Sequence, residues 1–143
     1  MKGIRITSYS SEMVRRPYKA NRTVRTYQYL AFTKSYKSDV KYRHCAIIFD
    51  KNYKIISIFV NKFKHNEIGT IHAEEGAIFQ CLKENPSIDI SKCTLLVVRS
   101  TLDGKHANSA PCDKCVGIMK QTGVKTCLFS NGNGKDINIT EIN

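Results

Sequence analysis

Two short stretches, 40 residues apart, constrain this chain more than anything else in it. The first reads Ile71-His72-Ala73-Glu74-Glu75-Gly76-Ala77-Ile78 and the second Ala110-Pro111-Cys112-Asp113-Lys114-Cys115. Neither half carries enough donors to hold a transition metal, which needs three or four protein ligands. A fold that uses them must bring His72, Cys112 and Cys115 to one point. Two thiolates and an imidazole suit zinc better than the oxygen-preferring magnesium or calcium. Three protein ligands leave the fourth position to water, which zinc acidifies toward neutrality. Glu74 lies two residues from His72, on a different side of a helix axis from a second ligand, and so is free to carry protons. Cys112 and Cys115 are spaced i, i+3, on one face of a helical turn whose N-terminus favours thiolates.

A lone Cys-x-x-Cys also fits a redox pair or half of a structural zinc site. A closed site would need a fourth ligand, and Cys81, Cys93, Cys127 and His106 are available for it. In that case Glu74 and Pro111 have no role.

The chain has 143 residues, one domain's worth, and 41% hydrophobic content, enough for a core. No apolar run reaches transmembrane length, and Met1-Lys2-Gly3-Ile4-Arg5 opens no secretory leader. Cys45, Cys81, Cys93 and Cys127 sit in apolar runs and read as small buried hydrophobes. The expectation is a cytoplasmic chain with reduced thiols and no membrane partner.

The net charge of +11 is unevenly spread. Residues 1–43 hold eleven Lys and Arg against Glu12 and Asp39, a net +9; the remainder carries twelve against ten, a net +2. This divides the chain into a basic N-terminal segment, 1–23, and a single domain, 24–143. Tyr9 and Tyr18 interleave with the basic residues, and charge for phosphates beside flat faces for bases is what a single-stranded nucleic-acid groove requires. Arg15, Arg16, Lys19, Arg22 and Arg25 are the candidate contacts. Solvated basic heads around core-packed rings are the plainer explanation for any one of them.

Along the chain, residues 1–23 lack periodicity and read as loop or extended, with a short turn near 10–16. Val24, Tyr27, Leu30 and Ala31 recur at three and four, which predicts a helix over 24–38. Cys45–Phe49 and Ile55–Val60 predict a hairpin turned at Asp50-Lys51-Asn52. A polar loop, Lys62 to Thr70, follows. Thr70 is the expected N-cap of a helix that Pro86 stops near Asn85. Cys93–Arg99 predicts a buried strand. Cys112–Thr122 predicts a helix opened by Pro111 and ended by Gly123. Val124–Phe129 and Asp136–Ile142 predict two strands joined by Asn131-Gly132-Asn133-Gly134. That turn is too short for a crossover, so the pair is antiparallel and the last strand an edge.

His72-Ala73-Glu74 with Pro111-Cys112-Asp113-Lys114-Cys115, in this element order, resembles the cytidine deaminase superfamily, whose zinc-dependent members show His-x-Glu and Pro-Cys-x-x-Cys. The resemblance covers about residues 24–142 in architecture, with its specific motifs confined to 72–74 and 111–115. It implies an α/β, three-layer fold: a mixed five-stranded sheet with helices and an antiparallel final hairpin. It implies Zn2+ on His72, Cys112 and Cys115, with Glu74 as the proton shuttle. Asn61 stands where family members often place an Asn against the sugar, and the Ala110 carbonyl stands where the amine is received. Phe63, His65 and Tyr42 are candidates for stacking on the base. Ala107-Asn108-Ser109-Ala110-Pro111-Cys112 is similar to small free-standing deaminases of phages and other viruses. The closing hairpin resembles the branch with antiparallel last strands, not the tRNA adenosine deaminases.

The expected function is hydrolytic deamination of cytosine to uracil in a polynucleotide, single-stranded DNA or RNA, with the basic segment on the phosphates. The same chemistry on free cytidine, deoxycytidine or dCMP is the alternative. A non-catalytic zinc-stabilised nucleic-acid-binding protein is a third. Oligomeric state is not encoded in any motif.

Overall fold

The structure is a computed structural model and describes residues 14–65 and 68–142. Tyr9 and the first part of the turn expected near 10–16 lie outside the described residues. The elements in chain order are β1 (Arg15–Tyr18), α1 (Arg22–Ser35), β2 (Arg43–Phe49), β3 (Ile55–Val60), β4 (Lys62–Phe63), β5 (Thr70–Ile71), α2 (Ala73–Glu84), a 3-10 turn (Ile90–Lys92), β6 (Thr94–Ser100), β7 (His106–Ala107), α3 (Asp113–Thr122), β8 (Thr126–Ser130) and β9 (Ile137–Glu141).

The main sheet runs β1-β9-β8-β6-β2-β3, with β7 pairing beside β6. Only β6 and β8 pair in parallel. That pair is joined through α3, and parallel neighbours need such a crossover. The five strands expected from the sequence are all present, and β1 and the two-residue β7 extend the sheet to seven.

Alternation along the central strands builds the layers. Ala46 and Ile48 of β2, Leu95 and Val97 of β6, and Cys127 and Phe129 of β8 pack in one core with Ala77, Ile78 and Cys81 of α2 and Cys115, Val116 and Met119 of α3. Cys45, Ile47, Phe49, Leu96, Val98 and Leu128 point the other way, into a second core with Val24 and Ala31 of α1. The sheet therefore lies between α1 on one side and α2 with α3 on the other. Asn21 caps α1, accepting from the Val24 N–H at 2.9 Å, so the helix starts slightly earlier than its apolar stripe.

Three expectations are corrected. Strand β9 is not an edge: β1 pairs antiparallel with it from Arg15↔Thr140 to Tyr18↔Ile137, and β1 becomes the edge. Arg-Arg-Pro-Tyr shows no alternation, and its pairing comes from the open side of β9. Pro17 is tolerated because β1 is an edge strand. The 62–70 segment, expected as loop, pairs Lys62 with Ile71 and Phe63 with Thr70, its chain turned at Gly69 with φ +109°. Thr70 is consequently held in a strand, and His72, with extended φ −69° and ψ 150°, is the N-cap of α2. No described helix is long and apolar enough to cross a membrane.

Candidate active site

His72 and Cys112 are both N-cap residues, of α2 and α3, and Cys115 lies one turn into α3. The two helix N-termini face each other on the same side of the sheet. His72 Nδ1 lies 3.4 Å from Cys115 Sγ and 3.7 Å from Cys112 Sγ. Zn–N of about 2.0 Å and Zn–S of about 2.3 Å in a tetrahedron place N and S about 3.5 Å apart. The three side chains are therefore spaced as zinc requires, and all three ligand atoms lie within 4.8 Å of one another. Among the described residues no fourth His, Cys or carboxylate joins the group. Cys81, Cys93, Cys127 and His106, which a closed site would draw on, stay outside it, leaving the open position of a catalytic site.

The ligands are held by their own helices. The His72 N–H donates to Glu75 Oε1 at 2.9 Å, and Lys114 Nζ reaches the same oxygen at 3.1 Å. Glu75 of α2 thus ties the two half-motifs together. Hydrogen bonds from Cys115, then His72, hold the Cys112 thiol down to about 3. Cys115, the donor in that pair, is pushed up, and a bound divalent cation deprotonates both. The approach to Cys112 is anchored by serines. Ser109 Oγ donates to the Val97 carbonyl at 2.8 Å and accepts from the Ser130 N–H at 2.9 Å; Ser130 Oγ donates to the Ala107 carbonyl at 2.6 Å.

A cleft of about 250 Å³ opens beside the cluster, lined by Val40, Tyr42, His44, Asn61, Thr70, His72, Ala73, Glu74, Ala110 and Cys112. Glu74 is 5% exposed on the first turn of α2, and burial pushes its carboxyl up to about 7. A buried carboxyl titrating near neutrality beside the cluster suits a group that both takes and gives a proton.

Asn61 and Ala110 line this cleft as the sequence expects of substrate contacts. Asn61 Nδ2 donates to the Tyr42 carbonyl at 2.7 Å and its Oδ1 accepts from the His44 N–H at 2.9 Å, so its orientation is set. Phe63 and His65 are exposed on the β4–β5 hairpin and are not among the lining residues. Sequence reasoning missed His44. It shares strand parity with Ala46 and Ile48, which face α2 and α3, but a histidine at a strand start carries no signal of its own. The Tyr42 carbonyl only accepts, so His44 Nδ1, 2.9 Å away, donates, and Nε2 is left as the acceptor when the ring is neutral. Burial lowers the His44 pKa and favours that neutral ring.

The basic candidates lie elsewhere. Arg15 and Arg16 are on β1, four strands from β2, roughly 19 Å along the sheet at ~4.8 Å per strand. Arg16 pairs with Glu141 at 3.1 Å, and the Arg15 guanidinium sits 5.8 Å from the Phe129 ring centroid. Lys19 is exposed between β1 and α1; Arg22 and Arg25 belong to α1, in the layer across the sheet from the cleft. Arg25 donates to the Lys135 carbonyl at 2.6 Å.

Comparison with solved structures finds the same fold. The cytidine deaminase from Burkholderia pseudomallei matches with a TM-score of 0.62 and 19% identity, covering 80% of this chain and 89% of that one. The apo dCMP deaminase from the cyanophage S-TIM5 matches at 0.60 and 21%, covering 81% and 89%. Its complex with dCMP and dUMP matches at 0.58 and 21%, covering 78% and 83%. A sequence comparison with curated proteins finds no match. The family described as "Cytidine and deoxycytidylate deaminase zinc-binding region" matches residues 20–131, more than half of the chain and both half-motifs. With zinc-spaced ligands on two helix N-termini and a buried glutamate beside them, the chain belongs to the cytidine and deoxycytidylate deaminase family.

Proposed function

We propose that this deaminase acts on free cytosine nucleosides or nucleotides, hydrolysing the exocyclic amine to give the uracil product and ammonia. The observation that carries the chemistry is the convergence of His72, Cys112 and Cys115 at zinc spacing beside the buried Glu74 in one cleft. When bound, zinc supplies a Lewis acid that acidifies water at the open position. Glu74 would carry one proton from the attacking water to the ring nitrogen and a second, given up by the new hydroxyl as the carbonyl forms, to the amine, which leaves as ammonia. Asn61, locked to the Tyr42 carbonyl and the His44 N–H, offers its remaining Oδ1 lone pair to a sugar hydroxyl. Ala110 lines the same cleft, and its backbone carbonyl is assigned to receive the amine.

Two observations support a free substrate over the polynucleotide expected from charge. Among the described residues, Arg15 and Arg16 stand on the β1 edge and Arg22 and Arg25 on the helix across the sheet, and none of these or Lys19 lines the cleft. The structural neighbours are by name a cytidine deaminase and a dCMP deaminase, the latter seen with dCMP and dUMP. The test is mass spectrometry of products after incubating the zinc-loaded protein with cytidine, deoxycytidine, their monophosphates and a cytosine-containing oligonucleotide. Conversion of the free compounds is expected. Conversion of the oligonucleotide alone would overturn the proposal.

A further inference from the structure

We infer that Arg99 and Lys41, gathered around Tyr42 beside the cleft, bind the phosphate of a nucleoside 5′-monophosphate, which makes the monophosphate and not the bare nucleoside the preferred substrate. This rests on the cytosine-deaminating reading above and adds the identity of the substrate's charged end.

Strand register brings Arg99 to the site. Arg99 of β6 is directly opposite His44 of β2. Residues so paired present their side chains on one face, with Cβ atoms about 4.5–5.5 Å apart. His44 lines the cleft, and Leu95 and Val97, which share the parity of Arg99, pack toward α2 and α3. Arg99 therefore rises on the cleft side of the sheet. Its guanidinium carbon is 4.5 Å from the Tyr42 ring centroid, and Lys41 Nζ is 5.4 Å from the same centroid. Tyr42 itself lines the cleft and is 53% exposed. The segment that carries it is fastened, because the Tyr42 carbonyl accepts from both His44 Nδ1 and Asn61 Nδ2. The two cations thus stand at a set position beside the cleft.

These cations stand on Tyr42 without a carboxylate partner. Arg99 Nε is buried without a hydrogen-bond partner. Among the described residues neither Arg99 nor Lys41 forms an ion pair, whereas Lys114, the other cation at the cluster, is committed to Glu75. The guanidinium fork matches two phosphate oxygens, and lysine adds a point charge. Asn61, which the proposed function sets against the sugar, is tied to the Tyr42 carbonyl, so the sugar contact and the two cations share one end of the cleft.

The experiment is steady-state deamination of dCMP, CMP, deoxycytidine and cytidine by the wild-type protein and by Arg99→Met, Arg99→Lys and Lys41→Ala. Arg99→Met keeps the aliphatic stem; Lys41 is exposed, so Lys41→Ala removes charge without touching the core. A charge-assisted contact of this kind is expected to give the wild type a kcat/KM for monophosphate roughly 10- to 100-fold above that for nucleoside. That ratio should collapse toward one in Arg99→Met, recover in part in Arg99→Lys, and fall through KM in Lys41→Ala. A wild-type ratio of one or below, or a ratio that none of the variants changes, overturns the inference. If no compound is turned over, the free-substrate reading above falls. Calorimetric titration with dCMP and deoxycytidine then reads the phosphate site independently: tighter dCMP binding that Lys41→Ala weakens sustains it, and equal or absent binding overturns it.

Discussion

Glu74 is the side chain whose type the architecture does not require. Its carboxylate is buried on the first turn of α2, where an alanine would pack without a desolvation cost. Retaining a carboxyl there fits the proposed proton transfer. Glu74→Gln is nearly isosteric and leaves His72, Cys112 and Cys115 untouched. It is expected to lower kcat by roughly 10²- to 10⁴-fold, the usual contribution of general acid–base catalysis. Zinc content and melting temperature should stay near wild type. Metal analysis, kcat and thermal denaturation on the same preparation check this, and a fully active Glu74→Gln protein would refute the proton-shuttle role. Glu74 was legible in the sequence because two motifs met in order. His44 and Arg99 were not, because only the β2–β6 register sets them side by side.

At the scale of elements, α2 lies unusually close to β3. Gly76 faces the Phe59 ring, and any Cβ at 76 would overlap it; the Ser57 hydroxyl also donates to the Ala77 carbonyl at 2.8 Å. The close approach helps set α2 against the sheet, and with it His72 and Glu74. Gly76→Ala forces helix and strand apart and is expected to cost about 1–3 kcal/mol through overpacking, outweighing the gain in helix propensity. Chemical denaturation measures this. Phe59→Leu in the same chain should restore part of the loss, and additive effects of the two changes would show that the contact is not the cause. Helix boundaries near Pro86 and Gly123 were readable because both residues act locally. The pairing of β1 with β9 was not, since four residues without alternation carry no local signal and the partner strand lies more than a hundred positions away.

In the whole molecule, zinc held by His72, Cys112 and Cys115 would join α2 to α3 across 40 residues of sequence, so metal binding would also be a fold-stabilising link. Chelation is expected to lower the melting temperature, and added zinc to restore it. The thiols give a second readout. Cys45 is pushed up to about 12 and Cys81 to about 11 by burial, and burial likewise raises Cys93 and Cys127. All four should resist alkylation while the protein is folded. Cys112 and Cys115 should react only after metal removal, and mass spectrometry counts the labelled sites. Rapid labelling of any thiol in the zinc-loaded protein, or of more than two after metal removal, would contradict this picture.

The features legible from residue order are those that act at short range or through residue chemistry. These are the ligand types, the Cys112–Cys115 turn, the Gly123 stop, the alternation that separates two cores, and the tight Asn131–Gly134 connection that makes β8 and β9 antiparallel. Only the folded arrangement sets which charges stand beside the cleft. Net charge is a sum over the chain, and its concentration in residues 1–43 pointed to a basic arm. Folding sends Arg15, Arg16, Arg22 and Arg25 to a distant edge and the opposite face, and brings Lys41 and Arg99, 58 positions apart, onto one tyrosine ring. The reason is strand order: neighbours in a sheet are chosen by burial of both faces and by backbone pairing, and neither is written at the position of the charge.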